Sequence, residues 1–236
     1  MINSITVIYD NLAEEGFIGD WGFSAFLDGE NPILFDTGAK PDIFIKNCKN
    51  AEIPLEETES IFISHNHWDH TGCIEKVISI SKTPDIFIPE SDAEEMEEKV
   101  KDKAVVVPIL TPTVIAPEIF STGILETGID NPSFEHAFIG KTPKGYILIT
   151  GCSHPGIVKI TQRALEITEE KLFLILGGFH LYKTENENVK KIAEELKRMT
   201  EYIAPCHCTG EKAVKVFKET FKDRFIYCKA GTEITF

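Results

Sequence analysis

Four side chains able to hold a metal ion fall within six consecutive positions of the segment Ile61-Phe62-Ile63-Ser64-His65-Asn66-His67-Trp68-Asp69-His70-Thr71-Gly72. On an extended turn, His65 and His67 stand two residues apart and point the same way, toward one ion. Asp69 and His70 then swing round the turn to face a second. Imidazole nitrogen and carboxylate oxygen together suit Zn²⁺, Fe²⁺ or Mn²⁺. The chain has 7 histidines, and three of them lie in this short run, a density that a merely polar loop does not explain. A divalent ion lowers the pKa of bound water from ~15.7 toward ~7, giving hydroxide near neutrality, and a pair ~3.5–4 Å apart can hold an ester or phosphoryl oxygen while charge builds on it. The predicted chemistry is metal-assisted hydrolysis, or group transfer at a phosphate-bearing substrate.

Three more histidines each follow an expected strand. They are His154 in Thr150-Gly151-Cys152-Ser153-His154-Pro155-Gly156, His180 in Leu176-Gly177-Gly178-Phe179-His180-Leu181, and His207 in Pro205-Cys206-His207-Cys208-Thr209-Gly210. Each alone reads as easily as a core histidine; beside the Ile61–Gly72 segment they read as loop residues converging on one edge. His136 lies inside a strand with no glycine-rich loop, and a structural role is expected for it. His180 is a candidate catalytic acid or base, because an unperturbed imidazole titrates near neutral pH. The 6 cysteines show no C-x-x-C pair and read as free thiols. Cys206 and Cys208 flank His207 and would point away from its imidazole on an extended chain. Cys152 is the thiol placed to matter, since thiolate favours zinc over harder ions.

The elements that must position these residues alternate along the chain. Strands are expected at Ser4–Tyr9, Gly22–Asp28 and Pro32–Phe35, the last two forming a hairpin around Gly29-Glu30-Asn31. A helix over Pro41–Ala51 and a strand over Ser60–Ser64 lead to the histidine run, followed by helix Thr71–Ser81 and strand Asp85–Pro89. Ser91 with Glu94 reads as a capping box opening an acidic helix to about Lys101. Strands near Ile119–Glu126 and Phe134–Gly140 suggest a second antiparallel layer. Then come strand Tyr146–Thr150, helix Pro155–Thr168, strand Leu172–Leu176, helix Asn186–Thr200, strand Tyr202–Pro205, helix Gly210–Lys222 and a last strand, Arg224–Cys228. Strands with β-α units at both ends imply two sheets between helices in one α/β domain spanning 1–236.

Pro155 at a first helical position, with Thr71 and Thr209 as caps, would bring three helix N-termini to the histidine edge and favour an anionic group. Lys159 and Arg163, at i and i+4 on one of those helices, are candidate phosphate contacts. Trp21 and Phe23, in Gly19-Asp20-Trp21-Gly22-Phe23, could form an aromatic wall against substrate.

Composition sets the outer bounds. The 236 residues are 42% hydrophobic and 26% charged, which excludes disorder, collagen-like sequence and coiled coil. A net charge of −14 repels a polyphosphate backbone and argues against nucleic acid as partner. No apolar run approaches the ~18 residues of a membrane span, and the first ten residues carry neither a basic start nor a long apolar stretch. A cytoplasmic protein with a small anionic substrate is expected; the oligomeric state is open.

His65-Asn66-His67-Trp68-Asp69-His70 resembles the H-x-H-x-D-H metal motif of the metallo-β-lactamase superfamily, and the likeness extends over nearly the whole chain. The resemblance implies an αββα sandwich with the metals at one edge of its two sheets. It makes Asp36, in Phe35-Asp36-Thr37-Gly38, the strand-end aspartate that supports the metal loop. It assigns His65, His67 and His154 to one ion and Asp69, His70 and His207 to another, two divalent ions in all, with zinc foremost and iron or manganese as alternatives. Superfamily members usually supply an Asp bridging both ions after Thr-Gly; here Thr150-Gly151 is followed by Cys152. Either Cys152 or His180 replaces the bridge, or water alone does, or one site is weak.

Gly-Cys-Ser-His-Pro-Gly-Ile, Gly-Gly-Phe-His-Leu and His-Cys-Thr-Gly are similar to one branch of that superfamily, the 7,8-dihydropterin-6-yl-methyl-4-(β-D-ribofuranosyl)aminobenzene-5′-phosphate synthases of methanopterin-type cofactor synthesis. The expectation is a metal-dependent hydrolase or synthase acting through metal-bound hydroxide on a small phosphorylated or pterin-like compound. The competing expectations are a metal-dependent ligand sensor without turnover and a non-haem iron redox protein.

Overall fold

The computed structural model describes residues 1–236. Strand β1 (Ile2–Tyr9), rich in β-branched residues, pairs antiparallel with β2 (Ser24–Gly29), which turns into β3 (Ile33–Phe35). Helix α1 (Pro41–Asn50) opens with proline, whose fixed φ suits a first turn, and buries Phe44 and Cys48. The chain then adds β4 (Ser60–Phe62) parallel to β3, with short helices α2 (Trp68–Thr71) and α3 (Ile74–Ile78) after it. Strand β5 (Asp85–Pro89), helix α4 (Ala93–Val100) and β6 (Val105–Ile109) complete this half, again in parallel pairing.

The second half follows as β7 (Thr113–Ala116), β8 (Ile119–Ser121), β9 (Leu125–Glu126), β10 (Phe134–Glu135), β11 (Phe138–Thr142) and β12 (Gly145–Thr150). Three β-α steps remain: α5 (Ile157–Thr168), β13 (Leu172–Gly178), α6 (Asn186–Met199), β14 (Thr200–Cys206), α7 (Glu211–Phe221). A last strand, β15 (Glu233–Thr235), returns to β1. The result is a seven-stranded sheet ordered β15-β1-β2-β3-β4-β5-β6 and a six-stranded sheet ordered β14-β13-β12-β11-β8-β7, with β9 and β10 as a separate pair.

Three apolar clusters define the layers. One, containing Phe35, Phe62, Phe138 and Leu176, lies between the sheets. The second packs α1, α3 and α4 on the outer face of the first sheet, and the third packs α5, α6 and α7 on the outer face of the other. That is the αββα sandwich. Phe62, fully buried just before the histidine run, stacks on Phe35 at 5.4 Å and on His136 at 4.1 Å. Burying such a ring contributes ~1.5–3 kcal/mol, so the loop that follows starts from a fixed point.

Several local expectations fail for identifiable reasons. The segment Arg224–Cys228 is not a strand: Phe225 makes an isolated bridge to Ile203, and the pairing edge of β1 is taken by Glu233–Thr235 instead. Ser91 does not cap; a 3-10 turn occupies Glu90–Asp92, so the helix starts at Ala93 with no side-chain cap. Ile119–Glu126 divides between two sheets, since β8 pairs with β11 while β9 pairs with β10. Helix Thr71–Ser81 is broken at Gly72 and Cys73 and begins earlier, at Trp68.

Candidate metal centre

The histidine run leaves β4 at the edge where both sheets end, and a chain of hydrogen bonds fixes its rings. Asp36, fully buried at the end of β3, accepts from Ser64 N at 2.8 Å, Ser64 Oγ at 2.8 Å and His70 Nδ1 at 2.6 Å. Ser64 Oγ in turn meets His65 Nδ1 at 2.9 Å. One carboxylate therefore orients two imidazoles, and with Nδ1 donating, each ring aims Nε2 at the site, where a bound ion would take the place of a proton. Burial would push His70 below its usual range, but the charge and hydrogen bond of Asp36 hold it up at about 9. His65, buried with no carboxylate of its own, is driven down by desolvation and by its histidine neighbours.

The second sheet contributes from the loop after β12. Gly151 is needed there for close approach: a Cβ would stand 2.1 Å from Ser64 Oγ. Beyond it, Glu135 accepts four hydrogen bonds, from the backbone N of Cys152 at 2.9 Å, Ser153 at 2.8 Å and His154 at 2.8 Å, and from His154 Nδ1 at 2.9 Å. Burial would raise Glu135, but His154 and these donors hold it below the usual carboxylate range. His207 follows β14. Its backbone N donates to Asp10 at 2.8 Å, and its Nδ1 lies 3.2 Å from Asn11 Oδ1.

The ligand atoms so presented converge in two groups. His65 Nε2 and His67 Nδ1 are 3.1 Å apart, and the His154 ring stands 4.8 Å from that of His65 and 5.2 Å from that of His67. In the other group, Asp69 Oδ2 lies 3.9 Å from His70 Nε2 and 3.5 Å from His207 Nε2. His207 Nε2 is buried and has no hydrogen-bond partner. Burial would raise Asp69, but the two imidazoles hold it well below the usual carboxylate range. Cys152 Sγ, 3.4 Å from His70 Nε2, belongs to both groups, within 4.8 Å of ligand atoms of His65 and His154 and of His70 and His207. Donors bound at 2.0–2.3 Å around one tetrahedral ion stand about 3.3–3.8 Å from one another. The spacings and the orphaned nitrogen thus fit divalent cations, and Cys152 is common to both groups.

Among the remaining candidates, His180 is exposed, with its ring 4.5 Å from that of His154, and it forms a third group with Cys152 and Cys208. Trp21 is 46% exposed and its ring lies 5.0 Å from His207, so it flanks the centre; Phe23 is buried in the core beneath. His136 is structural: Nε2 donates to Ile63 O at 2.8 Å and Nδ1 accepts from Ser121 Oγ at 2.8 Å. Lys159 and Arg163 make their contacts with residues outside the two groups. Lys159 Nζ donates to Glu126 O, and Arg163 Nε pairs with Glu166 one turn along its own helix. The expected helix starts also differ. Helix α5 begins at Ile157 because Gly156, at φ 98°, breaks the chain after Pro155. Thr71 closes α2, and Thr209 Oγ1 accepts from Phe179 N, so neither is a cap.

Sequence reasoning missed Glu135, Asn11 and Asp10. The chain has 38 acidic residues, and nothing local separates Glu135 from the others. Asp10-Asn11 at the end of the first strand had the same position in β1 that Asp36 has in β3, which was the available signal.

Comparison with known proteins agrees with this geometry. Residues 22–158 match the family model of the metallo-β-lactamase superfamily. The chain is 32% identical, over an alignment 250 positions long with its gaps that covers 86% of it and 84% of the relative, to the 7,8-dihydropterin-6-methyl-4-(β-D-ribofuranosyl)-aminobenzene-5′-phosphate synthase of Methanocaldococcus jannaschii. It is 29% identical to an uncharacterized protein of the same organism, covering 96% of this chain and 98% of that one. Among solved structures, Tm1679, a metal-dependent hydrolase of the β-lactamase superfamily, superposes with a TM-score of 0.83 at 27% identity, covering 99% of both chains. Motif, sandwich and ligand geometry lead to one conclusion: this chain belongs to the metallo-β-lactamase superfamily.

Proposed function

We propose that the protein is a metal-dependent enzyme, a hydrolase or synthase acting on a small phosphorylated or pterin-like compound. The observation that carries this reading is the convergence of two groups of ligand atoms on a shared Cys152 at one rim of the sandwich. The identity to the methanococcal synthase supports the substrate class, and the likeness to Tm1679 supports hydrolysis. Bound there, a pair of divalent ions supplies acidified water and a Lewis-acidic clamp for an ester or phosphoryl oxygen.

The chain's own residues do the rest. His65, His67 and His154 would hold one ion; Asp69, His70 and His207 would hold the other; Cys152 would touch both and favour zinc over iron or manganese. Asp36, Glu135 and Asn11 keep the rings turned inward. His180 stands exposed at the rim, its pKa raised by a hydrogen bond with Cys208, and is placed to pass a proton to a leaving group. Replacing His180 with Ala should leave metal content intact and slow turnover at least tenfold; an undiminished rate would remove it from the mechanism.

The test of the whole reading is elemental analysis of anaerobically purified protein joined to an activity screen over phosphodiesters, lactones and pterin precursors. Two equivalents of zinc, manganese or iron with turnover of one of these is the expected result. Less than half an equivalent of any transition metal would overturn it. Full metal with ligand binding but no turnover would replace it with the sensor.

A further inference from the structure

Beside the metal centre, on the far side of His207, lies a cavity of about 600 Å³ that the chemistry above does not use. This is within the size range of pockets for small organic ligands. At its near end are His207, Trp21 and Tyr182. Gly210 lets Tyr182 settle there, since a Cβ at that position would stand 2.7 Å from Tyr182 Cα. The Tyr182 ring lies 5.2 Å from His180, which lies 4.5 Å from His154, so a line of packed rings joins the near end to the metal centre.

The far end differs in chemistry. Helix α7 forms one wall, with Val214, Lys215 and Lys218 facing the cavity, and Phe225 and Tyr227 close it from the returning chain. At 1.5 Å per residue, Lys218 lies roughly 10 Å further along the helix than Glu211, which stands near the His207 end. Neither lysine forms an ion pair; Lys218 Nζ contacts Tyr227 Oη. Of the two acids on the lining, Asp10 spends its carboxylate on the backbone N of His207 and Leu12, leaving Glu211 at the near end.

From this arrangement we infer that the cavity is a substrate pocket for an elongated aromatic compound. Its planar ring lies between Trp21 and Tyr182 at the near end, facing His207, and its anionic tail is anchored by Lys215 and Lys218 at the far end. The assignment rests on the proposed function and gives it a substrate shape. Aromatic walls supply area at low ordering cost, and two lysines on one helix face supply the charge that the acidic chain otherwise lacks.

The test is calorimetric titration of the metal-loaded protein with naphthalene-2-sulfonate, whose sulfonate is a weak metal ligand, against neutral naphthalene-2-methanol and cationic naphthalene-2-methylamine. The sulfonate should bind at least tenfold more tightly than the alcohol, and the amine most weakly. Lys215→Ala with Lys218→Ala should erase the preference for sulfonate without changing metal content, and Tyr182→Ala should weaken all three probes. Equal binding of the three, or a sulfonate preference that survives the double lysine variant, would overturn the pocket. Because the readout is binding, a protein that holds the sulfonate but turns nothing over would overturn the hydrolase reading alone. One that turns over substrates yet ignores the lysines would overturn the pocket alone.

Discussion

Two buried carboxylates serve the two halves of the centre, and they do so differently. Asp36 stands at the end of its own sheet and braces a loop that carries four ligands in six residues. Its partners Ser64 and His70 come from one continuous segment. Glu135 sits on the small β9-β10 pair, outside both large sheets, and gathers a turn whose three successive N–H groups, from Cys152 to His154, all point to its carboxylate. The first half is a compact loop with a brace; the second is assembled around its brace. It follows that the second half should be the more fragile.

The sharpest way to break that comparison is Glu135→Ala. Three backbone N–H groups and an imidazole lose their acceptor inside the protein, and removing one partner of such a buried charged network costs ~3–5 kcal/mol. Thermal unfolding should show that loss, and Glu135→Gln, which keeps the shape, should restore part of it. In Glu135→Gln the His65-His67-His154 group, whose His154 is bonded to it directly, should lose more metal affinity than the Asp69-His70-His207 group, which it reaches only through Cys152. Equal loss from both groups would show that the halves are not separately braced.

His136 joins the two regions, bonding Ile63 O by its ring and Ser64 O by its backbone N at 3.2 Å. Burial drives its pKa down to about 4. The folded protein therefore binds fewer protons there than the unfolded chain between pH 4 and about 6.5, and stability falls as pH drops through that window. The full contribution is about 3 kcal/mol, present above pH 6.5 and lost by pH 4. Metal-free protein denatured with urea at several pH values should show this slope, and His136→Gln should flatten it. An unchanged slope would assign the acid sensitivity to other histidines.

These contrasts also explain what was legible beforehand. His65, His67, Asp69 and His70 announced themselves because their partners are neighbours in the chain, so spacing alone carried the signal. His154 and His207 were readable only as strand-end histidines that belong together, since the residues they join lie in a distant part of the chain. For Lys159 and Arg163, periodicity gives a shared helix face but not what that face meets. The sandwich followed from alternation of strand and helix. The start of α5 did not, because Gly156 at positive φ, rather than Pro155, sets where it begins.

A graded pair of variants sharpens the comparison further. Asp36→Asn keeps the shape of the brace but removes its charge from His70, and loss of a carboxylate behind a ligating histidine typically costs 10–100-fold in metal affinity. The loss should be largest for the Asp69-His70-His207 group, bonded to Asp36 directly, and smaller for the group of His65, reached through Ser64, which elemental analysis after dialysis against a graded chelator would show. His207 in that same group is braced by Asn11, a neutral amide at 3.2 Å that also donates to His207 O at 3.0 Å. A neutral hydrogen bond contributes only about 0.5–1.5 kcal/mol, so Asn11→Ala should weaken the same group by about tenfold or less. If Asn11→Ala proves as damaging as Asp36→Asn, charge is not what sets the strength of a brace. The distance over which the chain closes around the centre would then matter more than the carboxylate itself.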